Sequence, residues 1–444
     1  MTINLKAPQC KPVSESKGAQ MHDLVQELYP ICRSITGDGV RQTLRILQQH
    51  IPLEIKEVPT GTPAFDWVVP KEWNIRDAYI KNERGEKVVD FAEHNLHVVN
   101  YSTPVETYLP LAELKKHLHT LPDQPGLIPY KTSYYKPDWG FCLTHEQYLA
   151  LEDGMYEVCI DASLEDGSLT YGEYVIPGES TDEVLLSCHV CHPSLCNDNL
   201  SGIVVATYLA KALQQQHNKF TYRFLFVPGT IGSITWLSQN EEKIPAIKHG
   251  LVLTLLGDEA GFTYKRSREG NYKIDTVVEH LLAESGKKYQ VIDFFPYGYD
   301  ERQYCSPAFN MPVGCLMRSQ HGQFPEYHTS ADDLAFVKPA QLEESLIFLE
   351  EVLDVLENDA TYLNTNPKCE PQLGRRGLYD SLVGKSDKKS REMAMFWILN
   401  LSDGRYSLLA IAKRSGIPFK IIKVVAGVLI SHGLLIPAVY NAAE

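Results

Sequence analysis

The 444-residue sequence has no apolar run approaching the roughly 20 residues that span a bilayer, and its opening, MTINLKAPQCKPVSESKG, lacks the unbroken apolar centre of a secretory signal. A membrane span and export are therefore not expected, and the chain is placed in the cytoplasm. Positive charge is also short: 42 Lys and Arg stand against 56 Asp and Glu, a net −14, with the acidic residues spread out rather than gathered in a tail. Such a field repels nucleic acid and anionic lipid, which leaves small molecules or proteins as the expected partners. The ten cysteines show no regular framework and are expected as reduced thiols. No internal repeat or low-complexity tract appears. A hydrophobic content of 44% over this length suffices for two or three domains, each with its own core.

The periodicity changes along the chain. Met21 to Ile51 has helical spacing with a break at Gly37-Asp38-Gly39, which predicts two helices. From Leu53 to about Cys159 the pattern is short β-like runs, such as Lys87-Val88-Val89 and His97-Val98-Val99, divided by Pro, Gly and Asp. Beyond Tyr156, strands are predicted at Glu183–His189, Tyr222–Val227 and Leu251–Leu256, alternating with helices at Leu200–Gln215 and Ser233–Asn240. Leu342–Leu356 closes the unit as a long amphipathic helix. This alternation predicts an α/β domain with a mainly parallel central sheet, built from residues 1–60 and 155–360 around an inserted mainly-β module at 61–154. Residues 361–389 read as a linker. Helices at Arg391–Asn400, Leu408–Arg414 and Phe419–His432, followed by Leu434-Leu435-Ile436, predict a C-terminal winged helix over 390–444.

One stretch is dense in chemistry. Residues 187–202, SCHVCHPSLCNDNLSG, follow an apolar run, and polar groups just past the carboxyl end of a parallel strand are well placed to bind ligands. His189 lies there, and Asp198 sits just before a predicted helix. Asp258 follows LVLTLLG, and His328 lies in PEYHTSADDL. Four candidate ligands on separate loops could converge on a metal. Cys188, Cys191, His189 and His192 could instead be half of a zinc finger, but no second Cys/His pair lies nearby to complete it.

HVCHPSLCNDNLSG, PGTIGS, GDEAG and YHTSADDL, in that order, resemble the metal-binding stations of the co-catalytic zinc aminopeptidase superfamily. The whole chain is similar to bacterial aminopeptidase-like proteins linked to polysaccharide biosynthesis, which carry an inserted β module with a stretch like FDWVVPKEWN (Phe65 to Asn74) and a terminal winged helix. The resemblance implies a zinc hydrolase. His189 would bind the first of one or two zinc ions, Asp198 would bridge, Asp258 would complete the first site and His328 would serve the second. Such a site leaves an open position for a water made acidic by the metal, which would cleave an N-terminal residue from a small peptide or an N-acyl amide from a small molecule.

The sequence departs from that pattern at two points. Where the superfamily has two adjacent Glu before G-x-x-G-S, this chain has Phe226-Val227-Pro228-Gly229-Thr230-Ile231-Gly232-Ser233, and the Asp two residues after the first His is replaced by Cys191. A substitute base is sought in Glu326, which would share a face with His328 if that stretch were extended, with Glu259 and Glu301 as rivals. Arg318 is the candidate grip for a substrate carboxylate or phosphate, ahead of Arg266 and Arg268. Two alternatives follow from the missing pair: an amidase or deacylase acting on an amino sugar or other biosynthetic intermediate, and a ligand-binding pseudoenzyme signalling through the winged helix. The candidate recognition helix FKIIKVVAGVLISH offers only Lys420 and Lys423 to phosphates, so self-association or a protein partner is expected there rather than DNA.

Overall fold

Ser16 caps the first helix, Lys17–Leu28, by accepting the Ala19 amide at 3.1 Å, and Met21, Leu24, Val25 and Leu28 form its buried stripe. The second, Asp38–Leu47, begins after Gly37. That glycine has a φ of +99°, and a Cβ there would stand 2.0 Å from the Trp73 carbonyl oxygen. The computed structural model describes residues 16–378 and 388–438.

The central sheet has eight strands in the order Glu54–Pro59, Ser168–Ile176, Thr221–Val227, Glu183–His189, Ile247–Leu253, Val313–Met317, Phe262–Lys265 and Tyr289–Ile292. The four middle strands, from Thr221–Val227 to Val313–Met317, run parallel to one another, and antiparallel strands flank them. Period-two alternation divides their side chains between two cores. Val184, Leu186 and Cys188 join the core beneath helices Lys17–Leu28, Gly202–Leu213, Lys273–Glu284 and Pro339–Asn358, whereas Leu185, Leu225 and Val227 face the core shared with the inserted module. The fold is the expected mixed α/β one.

The inserted module is an antiparallel sheet ordered Lys87–Asp90, Glu72–Lys81, Met155–Glu165 and Val105–Pro110, with a small hairpin of Pro63–Ala64 and Trp67–Val68. It extends further than the predicted boundary at 154. Met155–Glu165 pairs with Glu72–Lys81 and Val105–Pro110, and the chain re-enters the main sheet only at Ser168–Ile176. His97-Val98-Val99 forms no strand: Asn95–His97 is a short helical turn and Val98 makes a single bridge to Phe141.

The predicted linker is also shorter than expected. Thr361–Asn364 is the middle strand of a three-stranded sheet with Asp403–Ser407 and Leu435–Pro437, so it belongs to the C-terminal module. The helix predicted from Arg391 already covers Lys388–Leu401, while residues 379–387 of the linker lie outside the described ones. Helices Leu408–Ser415 and Phe419–Ser431 complete the winged-helix arrangement. Lys423, one of the two cations available to phosphate, is tied to both carboxylate oxygens of Asp354 at 2.6 and 2.7 Å. No helix among the described residues is long and apolar enough to cross a membrane.

Candidate metal centre

The strand Glu183–His189 delivers His189 to its carboxyl end, where the wholly buried loop that follows turns through Cys196–Ser201 into helix Gly202–Leu213. The NDNLSG stretch divides its labour. Asn197 donates to Asp258 Oδ2 at 2.8 Å and accepts the Gly257 amide at 2.9 Å; Asn199 donates to the Leu253 carbonyl at 3.1 Å; Ser201 accepts the Leu256 amide at 2.9 Å. These bonds stitch the loop to the end of strand Ile247–Leu253. Asp198 is left free to face the other way. Gly202 permits the close approach, since a Cβ would lie 2.5 Å from the Leu253 carbonyl oxygen.

Asp198 is fully buried and central. Its Oδ1 lies 2.8 Å from His189 Nε2 and its Oδ2 3.0 Å from His328 Nε2. His192 Nδ1 is 3.9 Å from Oδ1, and one ligand atom from each of His189, His192 and Asp198 falls within 4.8 Å of the others. The three imidazoles cluster, with His192 4.9 Å from His189 and 5.3 Å from His328 between ring centroids. Burial pushes His192 well below its ordinary range. Desolvation alone would raise the Asp198 pKa, but the surrounding imidazoles outweigh it and hold the carboxylate well below its usual range.

The neighbours hold this geometry. Asp332 accepts the Asn197 and Asp198 amides at 2.5 and 2.9 Å, while its own burial lifts it to about 8. The Tyr299 ring lies 3.7 Å from the His189 ring, and its hydroxyl is 3.1 Å from Cys191 Sγ. Burial raises Cys191 to about 12, so it stays a thiol and does not replace the charge of the missing Asp. Tyr130 stands edge-on to both His192 and His328, at 5.1 and 5.0 Å. Arg33, buried at the far side, donates to the His192 carbonyl at 2.9 Å.

The buried nitrogens of His189 and His192 and the Asp198 carboxylate, with His328 reaching Asp198 from the partly exposed side, are a donor set whose chemistry fits a zinc-like ion. Phe226 and Val227, where the resemblance led one to look for a Glu pair, are fully buried apolar residues and offer no ligand.

A model of the family described as "Domain of unknown function (DUF4910)" matches residues 22–359. The chain belongs to the DUF4910 family. A second model, described as winged helix-turn-helix, matches residues 360–437. A Clostridium acetobutylicum protein is 56% identical to this DUF4910 chain over 422 residues, covering 95% of the chain and 97% of the relative; it is provisionally named a polysaccharide biosynthesis protein with an aminopeptidase-like domain. A crystal structure from the same organism, provisionally named a peptidase, superposes with a TM-score of 0.91 at 55% identity, over 95% and 96% of the two chains. The zinc aminopeptidase BSAP of Bacillus subtilis is similar in fold, with a TM-score of 0.56 at 10% identity over 77% of this chain and 94% of that one.

Several predicted site residues lie elsewhere. Asp258 makes no hydrogen bond to His189, His192, Asp198 or His328 among the described residues and lies outside the group formed by the first three. The strand before it ends at Leu253, the backbone kinks at Leu255, and the carboxylate is occupied by Asn197, by the Ala260 amide at 2.8 Å and by the Ser319 hydroxyl at 3.0 Å. Glu326 does not sit on an extended backbone. Tyr327 and Thr329 donate to the Phe324 and Glu326 carbonyls in consecutive turns, and His328 has a φ of +54°, so the shared face expected of alternate strand residues does not form. Glu301 is fully buried against Lys265 at 2.8 Å, and Glu259 is exposed. Arg318 is not a substrate grip: its buried guanidinium is shared among the Leu256, Ala260 and Gln341 carbonyls, Ser345 and Glu344. Arg266 is paired with Glu279 and Asp293, and Arg268 bonds Asn310.

Sequence reasoning set His192 aside and overlooked Tyr299 and Asp332. The spacing HVCH was a signal for His192, and the final Asp of YHTSAD was a signal for Asp332. Tyr299 carries no motif at all.

Proposed function

We propose that the chain is a peptidase-like hydrolase that uses one zinc ion, held by His189, His192, Asp198 and His328, to cleave an amide. The observation that carries this reading is the buried Asp198 carboxylate with Nε2 atoms of two imidazoles at 2.8 and 3.0 Å and a third imidazole beside it. When bound, a divalent ion supplies Lewis-acid polarisation of a carbonyl and makes water more acidic. The aminopeptidase-like fold and the name of the 56%-identical relative support the same class.

The chain's own residues have definable parts. Asp332 fixes the backbone at Asp198 and so sets the direction of its carboxylate. Tyr299 packs on His189 and limits its rotation, while its hydroxyl reaches the edge of the cluster. His328, about one third exposed, marks the open side from which a substrate arrives. The substrate is a small peptide or an N-acylated small molecule. Zinc content of the purified protein, together with zinc titration after chelation, tests the first half: an absence of both natural and added zinc would falsify it.

A second reading has a specific observation behind it. None of Glu259, Glu301 and Glu326 is hydrogen-bonded to His189, His192, Asp198 or His328 among the described residues, and loss of a general base commonly lowers a rate by about 10²–10⁴. A ligand-binding role, with the winged helix as the contact for a protein partner, would then show zinc binding without turnover on any aminoacyl-anilide or N-acylated sugar.

A further inference from the structure

Four exposed apolar side chains of the inserted module gather on one wall. Phe65 and Tyr135 are each 51% exposed, Trp67 44% and Val68 55%. Trp67 meets Tyr135 edge to face at 5.1 Å, which joins the hairpin to the loop that carries Tyr135, and Phe65 leans on Phe309 of the main domain at 5.6 Å. Apolar and aromatic side chains grouped in this way mark interaction surfaces.

The backbone holds this wall in place. Pro63 pairs with Val68 and Ala64 with Trp67, so Phe65 and Asp66 are the two residues of the turn. Phe65 takes a φ of +55°, which glycine usually supplies at the first position of such a turn, and Tyr135 takes +66°. Beneath the rings Ala64 and Val69 are buried. The Val69 amide donates to the Thr62 carbonyl and its carbonyl accepts the Gly61 amide, each at 2.9 Å. A wall fixed before a partner arrives loses little conformational freedom on association.

Two charges decide what fits it. Asp66 lies between Phe65 and Trp67, and Lys136 follows Tyr135; both side chains are exposed, and neither has a hydrogen bond or ion pair among the described residues. A partner of a single sign, such as nucleic acid or anionic lipid, would satisfy one and repel the other. A patch with an apolar centre, one acid and one base is instead complementary to itself. A two-fold rotation brings the acid of each copy to the base of the other while the aromatic centres meet, so both charges are paired as the rings leave water.

We infer that Phe65, Trp67, Val68 and Tyr135 form the interface of a two-fold symmetric homodimer, in which Asp66 of each protomer pairs with Lys136 of the partner subunit. The association needs neither zinc nor turnover. Sedimentation equilibrium of the full chain over a wide concentration range is expected to show a monomer–dimer equilibrium. Asp66→Lys or Lys136→Asp alone sets like charges opposite each other twice and should weaken the dimer at least about tenfold. An equimolar mixture of the two variants should associate within a few-fold of the wild type, because one protomer then carries only basic and the other only acidic groups at these positions. The double variant, in which the pairs are exchanged, should do the same. Trp67→Ala should weaken the dimer at least about tenfold through loss of the central ring. Far-UV circular dichroism checks that each variant is folded. A wild type that stays monomeric at every concentration would overturn the inference. So would a dimer untouched by either charge reversal, whose interface must lie elsewhere, or a mixture of the two variants that fails to associate.

Discussion

Replacing His192 and Asp258 in parallel separates the geometry of the folded chain from the motif pattern. If the four donors are His189, His192, Asp198 and His328, His192→Ala removes one of three nitrogens from the set. Loss of an outer-shell partner alone typically lowers metal affinity 10- to 100-fold, so loss of a direct donor should lower zinc affinity by at least about 100-fold. Asp258→Asn should behave differently. Asp258 accepts from Asn197, Ala260 and Ser319 at 2.8–3.0 Å, and an amide nitrogen placed there faces donors. Hydrogen bonds to a buried charge are worth about 1.5–3 kcal/mol each, so losing one or two acceptors should destabilise the fold by about 2–5 kcal/mol, with zinc affinity within a few-fold of the wild type. Competition against a chromogenic chelator at pH 7.5 gives the affinities, and urea unfolding gives the stabilities. Near-normal zinc binding by His192→Ala, or abolished binding by an Asp258→Asn protein of unchanged stability, would refute this assignment and restore the motif-based one.

Three further outcomes are expected. A Cβ at Gly229 would stand 1.8 Å from Tyr299 Cε1, so Gly229→Ala should cost about 1–3 kcal/mol and weaken zinc binding by displacing the ring that packs on His189; a wild-type melting curve would contradict this. Arg318→Ala should destabilise the chain by about 2–4 kcal/mol, because the buried Leu256, Ala260 and Gln341 carbonyls lose a charged donor while Glu344 keeps Lys287, yet leave zinc affinity unchanged; a selective loss of substrate binding with intact stability would instead revive a substrate role. Burial drives His249 down to about 4, below the 6.5 of an unfolded His, so the native chain binds fewer protons than the unfolded one in between and its stability falls as pH drops from 6.5 to 4. At 1.36 kcal/mol per pH unit the full gap is worth about 3 kcal/mol, of which about 2 kcal/mol falls between pH 7 and pH 4.5, and His249→Phe should remove that part from the difference between the urea stabilities at those two pH values.

Much of the architecture was legible in local pattern. The apolar run before His189, the helical spacing after Asp198 and the strand Thr221–Val227 follow from side-chain periods of 2 and 3.6, which any buried strand or amphipathic helix imposes on its own residues. The convergence of His189, Asp198 and His328 was readable too, because strand ends and the loops after them cluster at one edge of a parallel sheet. Neither Glu326 nor Asp258 could be placed that way. Whether two alternate residues share a face depends on the backbone between them, and the turn at 324–329 is set by contacts with Tyr130 and Ile128 of the inserted module, about 200 positions earlier. Whether a carboxylate is free to bind depends on who else donates to it, and Asp258 is claimed by Asn197 and Ser319, each about 60 positions away. Tyr299 shows the limit most plainly. It packs against His189 across 110 residues because Gly229 leaves space and Glu301 holds its amide, and no local pattern encodes an empty space in one loop that a ring from another will fill.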